Sequence, residues 1–241
     1  MSSGAVAGND GGDPHTPIAP EHHRRITRDA LGIGLATGAY ALSFGAISVA
    51  SGLSAAQTQT LSLMMFTGAS QFAFVGVLGA GGGAVAAVLT AWLLGARNGL
   101  YALSIAPVLS VRFPRRLAAA QLTIDESTAM ALAHPTPPAA ARRAFWRTGL
   151  AVYVLWNIGT LLGALGASAI DDPSTLGLDA AIPAGFIALL WPRLVGRTMW
   201  AVAVSGAVLA LVLTPVLRPG LPVLAAGLVA LLASWLIGRR P

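Results

Sequence analysis

From Ala30 to Ala96 the chain carries no charged side chain. A water-soluble domain cannot do this, because its surface must be solvated and about a quarter of its residues are ordinarily charged. Here only 10% of the 241 residues are charged and 55% are hydrophobic. Further uncharged stretches cover Asn98–Val111, Thr148–Ile170, Thr198–Leu217 and Leu221–Gly238. An apolar run of about 20 residues, wound as a helix, matches the hydrocarbon thickness of a bilayer. A helix also satisfies its own backbone where no water is available. The pattern predicts an all-α integral membrane protein with about six to seven transmembrane helices.

The net charge is +6, and every basic residue is Arg. A basic chain can be a nucleic-acid binder, but these arginines flank the apolar runs, as topology determinants do, so nucleic acid is not expected as a partner. With no Cys, disulfides, thiol catalysis and Cys-based metal sites are excluded. His15, His22 and His23 precede the first apolar run, and His134 has no evident partner, so no metal or other cofactor is expected. Residues 1–28, rich in Gly, Pro, Asp and His, are expected to be a disordered cytoplasmic tail closed by Arg24, Arg25 and Arg28. Residues 29–241 then form a single polytopic membrane domain. Ser48-Val49-Ala50 resembles a signal-peptidase site. The apolar run and the tail before it are both longer than a signal's, so the first span is expected to stay.

Spans are predicted at Leu31–Ala50, Ala56–Leu78, Thr148–Ile170, Thr198–Leu217 and Leu221–Gly238, with a shorter one at Ala180–Pro192. Ala84–Leu109 is also long enough, but Arg97-Asn98-Gly99 interrupts it. A stretch with six arginines, Ser110–Arg147, follows; its middle, Arg115–Ala133, reads as a helix lying at the membrane interface. Asp171, Asp172 and Asp179 make an acidic loop, in which Asp179 reads as a helix cap. Arginines collect on the cytoplasmic side. With the N-terminus inside, a single crossing by Ala84–Leu109 places six of them outside. If that segment enters and returns as two half-helices, thirteen of the fifteen arginines lie inside, Arg218 alone is misplaced and Arg97 stays in the membrane. The count therefore favours a broken or re-entrant element near residues 84–109, with Arg97 near its tip. An even number of short crossings before residue 110 satisfies the same count.

Arg97 is the foremost candidate for chemistry. A charge at bilayer depth costs about 2.5–3.5 kcal/mol on insertion scales, and such residues face a cavity or a partner. A guanidinium fork pairs with a carboxylate at two points. The competing reading makes Arg97 a turn cap in water. Thr67-Gly68-Ala69-Ser70-Gln71-Phe72 places Ser70 and Gln71 in an apolar span, where helix packing through Gly68 and Ala69 is the simpler reading. Ser43-Phe44-Gly45 is a similar small and polar group. Asp125-Glu126 is the only carboxylate pair between residues 30 and 170; by charge pattern it reads as a solvated helix face. The tryptophans, Trp156 among them, read as an aromatic belt near span ends. No phosphate loop, HExxH motif or nucleophile–base pair is present, so catalysis is not expected.

Taken in order, Ser43-Phe44-Gly45, Gly52-Leu53-Ser54, Gly68-Ala69-Ser70-Gln71-Phe72, Arg97 with Tyr101-Ala102-Leu103-Ser104-Ile105-Ala106-Pro107, Asp125-Glu126, Gly159-Thr160 with Gly163, and Leu178-Asp179 resemble the AzlC family of branched-chain amino acid permeases. The likeness runs from about Arg28 to the C-terminus. It departs at Gly95 and Asn98, where many members carry Asn and His. The resemblance implies an exporter of branched-chain or other hydrophobic amino acids in the cytoplasmic membrane of a bacterium, working with a small AzlD-type membrane subunit. It also implies functional roles for Ser70, Gln71, Asp125 and Glu126. On this reading Ser43, Gly45, Ser70, Gln71, Arg97, Asn98 and Tyr101 form the binding or gating set. Phe44, Met65, Phe66 and Phe72 supply apolar walls, and Asp125 or Glu126 carries the coupling proton. Two other classes remain open, a non-transporting subunit that assembles a partner membrane protein and an intramembrane enzyme.

Overall fold

Pro20 opens the first helix, α1 (Pro20–Ala50), in the position where its missing N–H is no loss. The computed structural model describes residues 19–169, 187, 191, 194–218 and 220–237. Residues 20–28, read from the sequence as tail, are therefore the first turns of α1. Residues 1–18 and the acidic loop of Asp171, Asp172 and Asp179 lie outside the described residues. So does the Ala180–Pro192 span, apart from Ile187 and Trp191.

The chain continues through α2 (Ala55–Met64), α3 (Ala69–Gly79), α4 (Ala84–Leu109), α5 (Arg115–Gln121), α6 (Asp125–Leu132) and α7 (Pro138–Ser168). It ends with α8 (Arg197–Leu213) and α9 (Leu221–Ile237). Among the described residues all regular structure is helical. By length and apolar composition α1 and α7, each of 31 residues, can cross a membrane.

These two helices form the spine. Thr27 bonds Arg147, Gly34 packs on Ala151, Gly38 on Leu155, and Leu42 on Gly163. The numbers rise together, so α1 and α7 run parallel. A Cβ on Gly45, Gly159 or Gly163 would collide with the backbone carbonyl of Thr160, Gly38 or Leu42 respectively. Glycine is required there because the two backbones touch, the usual route to tight helix packing in lipid, where apolar burial gives no net drive.

Two parallel helices joined in sequence need one net return crossing, and α4 provides it. The broken, re-entrant element predicted at residues 84–109 is not there: α4 is one continuous helix of 26 residues, with Arg97 at its middle. The single span expected at Ala56–Leu78 is instead two short helices, α2 and α3, separated at residues 65–68. Gly68 sits at φ 58°, ψ −90°, a conformation only glycine reaches cheaply. A Cβ built on Gly79 lies 3.1 Å from the Ser51 Cβ, so α3 ends where α1 ended. The hairpin α2–α3 enters and leaves at one end of the bundle. The break in this part of the chain therefore falls at residues 65–68, one segment before the one where the arginine count put it.

A second hairpin enters from the opposite end. The region Arg115–Ala133, expected as one interfacial helix, folds as α5 and α6 around residues 122–124. The α6 end returns to the start of α1, where Ile26 packs with Met130, Ala140 and Ala144, and the His22 and His134 rings lie 5.2 Å apart. Its tip reaches inward: Gln121 donates to the Leu63 carbonyl of the first hairpin at 2.9 Å, and Leu122 packs on Gly149 of α7. Two opposed hairpins thus meet tip to tip between α1, α4 and α7. Outside this core α8 and α9 pair with each other, and Gly227 of α9 packs on Leu93 of α4.

Candidate functional site

Each hairpin tip is built by the same device. The first residues of α3 and α6 leave backbone N–H groups without helical partners. In α3 the Gln71 side-chain carbonyl accepts from the Gly68 N–H at 3.0 Å. In α6 the Ser127 hydroxyl accepts from the Ile124 N–H at 3.1 Å. Both are third-position side chains reaching back to the cap, one half of a capping box. Gln71 and Ser127 are fully buried, so these bonds fix the tips.

The N-termini of α3 and α6 open on a common cavity of about 250 Å³. α1 contributes Ala36, Thr37 and Tyr40 to its wall, and the first tip contributes Phe66, Thr67, Gly68 and Ala69. Arg97 enters from α4, Ile124, Asp125 and Glu126 from the second tip, and Val152 and Trp156 from α7. The volume falls just below the usual range for small-molecule sites, about 300–1,000 Å³, which suits a small solute.

Arg97 Nη1 lies 3.0 Å from Asp125 Oδ2, with side chains 30% and 19% exposed. Asp125-Glu126, read from charge pattern as a solvated face, is therefore part of the cavity wall. The bond joins the middle of α4 to the tip of the second hairpin. Asp125 and Glu126 also stand in the first turn of α6, where the helix dipole favours negative charge. The N-terminus of α3 across the cavity carries the same positive end without an acidic residue.

An aromatic frame backs the site. Tyr40 packs on Phe72 at 5.1 Å, Phe72 on Phe44 at 5.3 Å, and Trp156 stands 6.1 Å from Phe44. The Tyr40 hydroxyl, Thr67 Oγ1 and Trp156 Nε1 are buried and have no protein hydrogen-bond partner. A buried donor left unsatisfied costs about 1–3 kcal/mol, and all three atoms belong to residues of the cavity wall. Among the described residues no three His, Asp or Glu side chains cluster as metal ligands would.

The structure sorts the predicted site residues. Arg97, Asp125 and Glu126 come together at the cavity, and Phe66 is a wall. Ser70 and Gln71 are buried one turn behind it, Gln71 as the cap and Ser70 against Gly95 of α4. Phe44 and Phe72 stand behind the lining in the aromatic frame. Ser43 bonds the Tyr40 carbonyl in its own helix, and Gly45 is spent on the α1–α7 contact, so neither lines the cavity. Asn98, Tyr101 and Met65 are not in the lining either. Trp156, grouped from the sequence with the aromatic belt, stands near the middle of α7 and is 5% exposed. Tyr40, Thr37 and Val152 were missed, and Thr67 entered only as the first residue of a stretch read as helix packing; the one available signal was Trp156-Asn157, large and polar in the middle of an apolar run.

Comparison with known proteins agrees with the sequence pattern. A family profile described as AzlC protein matches residues 32–170, which take in the apolar part of α1 through the end of α7 and so every residue of the cavity. A relative from Archaeoglobus fulgidus, described as an uncharacterized membrane protein, is 33% identical over 198 residues, covering 81% of this chain and 86% of its own. No solved structure matches the chain.

Proposed function

The chain belongs to the AzlC family of membrane proteins, and on that premise we propose that the cavity between the two hairpin tips binds a zwitterionic amino acid and passes it across the bilayer. One observation carries the reading: the Arg97–Asp125 ion pair forms part of the cavity wall at the meeting point of two opposed broken elements. A zwitterion fits such a pair. Its carboxylate takes Arg97, assisted by the positive end of α3, and its ammonium takes Asp125 or Glu126. Phe66, Val152 and Trp156 then face an aliphatic side chain. Apolar walls distinguish aliphatic neighbours by only about 1–3 kcal/mol per methylene, so the substrate range is broad.

The hairpins supply the transport step. Helices broken near mid-membrane, entering from opposite ends, are a recurring way to build a binding site whose access alternates. Withdrawal of one tip opens the cavity to one side, and withdrawal of the other opens the second. A substrate carboxylate that takes Arg97 also releases Asp125 from its ion pair; whichever of Asp125 and Glu126 does not hold the ammonium is then available for a coupling proton. Family membership favours branched-chain and other hydrophobic amino acids as substrates, outward movement across a cytoplasmic membrane, and work with a small AzlD-type subunit. With α1 starting inside, the arginine-rich ends of α1, α5 and α7 lie on the cytoplasmic side, as the distribution of basic residues favours.

The test is leucine counterflow in proteoliposomes holding the purified chain, with and without the small subunit. The parent protein is expected to exchange leucine, and Arg97→Ala to insert normally but lose flux more than tenfold. Undiminished flux in Arg97→Ala removes the ion pair from the mechanism. No flux from the parent protein in either preparation favours the alternative, a non-transporting subunit that assembles a partner.

A further inference from the structure

We propose that the groove between the α4–α5 link and the start of α7 is a headgroup site for an anionic phospholipid. Arg112, Arg115 and Arg142 line this groove together with Phe113 and Trp146. The ion pairs among the described residues involve Arg25, Arg28 and Arg97, so these three guanidiniums have no carboxylate partner there. Three like charges round one open groove repel each other unless a counter-charge lies between them.

Depth decides what the counter-charge is. Arg142 lies just before the uncharged run that begins at Thr148. Arg147, on the next turns of α7, bonds Thr27 of α1, where the charged turns of that helix give way to its apolar run. The groove therefore sits at the edge of the apolar girdle, at the level of lipid headgroups. The abundant anion at that level is a phosphate ester, and basic pockets between helices there take anionic headgroups. Guanidinium forks pair with phosphate at two points. Apolar surface lies beside the charges: Phe113 is 76% exposed and Leu117 61% exposed. An acyl chain covers such residues and a free phosphate does not, so the commitment is to lipid. The site is separate from the cavity and does not depend on the transport reading.

The test compares binding of dioleoyl phosphatidylglycerol and dioleoyl phosphatidylcholine to the purified full chain in mild detergent, by native mass spectrometry. The glycerol lipid is expected to be retained and the choline lipid not. Replacing Arg112, Arg115 and Arg142 together by Gln is expected to weaken phosphatidylglycerol binding on the order of a hundredfold, at about fivefold per guanidinium. The single change Arg115→Gln gives the fivefold step if the triple variant does not fold. Arg24, Arg25 and Arg28 changed together to Gln remove the same charge at the same end of the bundle and are expected to leave binding close to that of the parent. Equal retention of both lipids, equal loss in both triple variants, or displacement of the lipid by millimolar inorganic phosphate overturns the proposal.

Discussion

The α1–α7 contact allows a test in which one substitution has opposite signs at two places on the same helix. Gly163 of α7 stands against the Leu42 carbonyl with no room for a methyl group, whereas a Cβ on Gly166 meets nothing within 4 Å. For Gly163→Ala to reach ordinary contact, the two backbones must separate by about an ångström or more along the spine of the fold. Overpacking of this kind costs about 1–3 kcal/mol, and the upper end applies because the obstacle is backbone rather than a rotatable side chain. Gly166→Ala gains about 1 kcal/mol of helix propensity. The same gain applies at Gly163, so the two variants should differ by the overpacking cost alone, about 2–3 kcal/mol. For a chain of this length that is about 4–12 °C in apparent unfolding temperature. The assay is heating of the detergent-solubilised protein, followed by the loss of its monodisperse peak on size exclusion. Gly163→Ala and Gly166→Ala unfolding at the same temperature would refute the close parallel contact.

Other expectations follow from the hairpins and the cavity. Ser51→Cys with Gly79→Cys should form a disulfide when membranes holding the protein are treated with a mild oxidant, in a chain with no native Cys; failure to cross-link under the oxidant would mean that α2 and α3 cross rather than return. Gly68→Ala should cost about 1–3 kcal/mol through backbone strain at the tip, read as a lower unfolding temperature, and Gln71→Leu about 1 kcal/mol more through loss of the cap. Trp156 is one of the few aromatic residues at the cavity, so leucine should shift the intrinsic fluorescence emission of the parent protein and not that of Trp156→Phe.

The membrane class and the all-helical character were legible because charge avoidance acts over whole segments, whereas the splitting of Ala56–Leu78 and of Arg115–Ala133 into two helices each was not. The arginine distribution also favoured a broken element, or an even number of short crossings, before residue 110. It could not say which, because a re-entrant break and a helical Arg both interrupt an apolar run. Arg97 continues its helix because Arg is a good helix former and Asp125 meets its charge. Residues 65–68 break theirs with Gly68 at positive φ and no charge at all. The pairing of Arg97 with Asp125 was illegible for another reason: it joins residues on separate elements, and only the folding back of α5 and α6 brings them together. Gly45 and Ser43 looked like site residues, yet small residues in a membrane helix serve packing at least as often as binding.

The central claim is that the cavity holds both ends of an amino acid, the carboxylate at Arg97 and the ammonium at Asp125 or Glu126. Calorimetric titration of the purified chain with leucine, 4-methylpentanoate and isoamylamine tests it directly, since the last two lack the ammonium and the carboxylate respectively. Leucine is expected to bind at least tenfold more tightly than either, the about 1.4 kcal/mol that one lost charged contact supplies at minimum. Binding of either truncated compound as tight as leucine would contradict it.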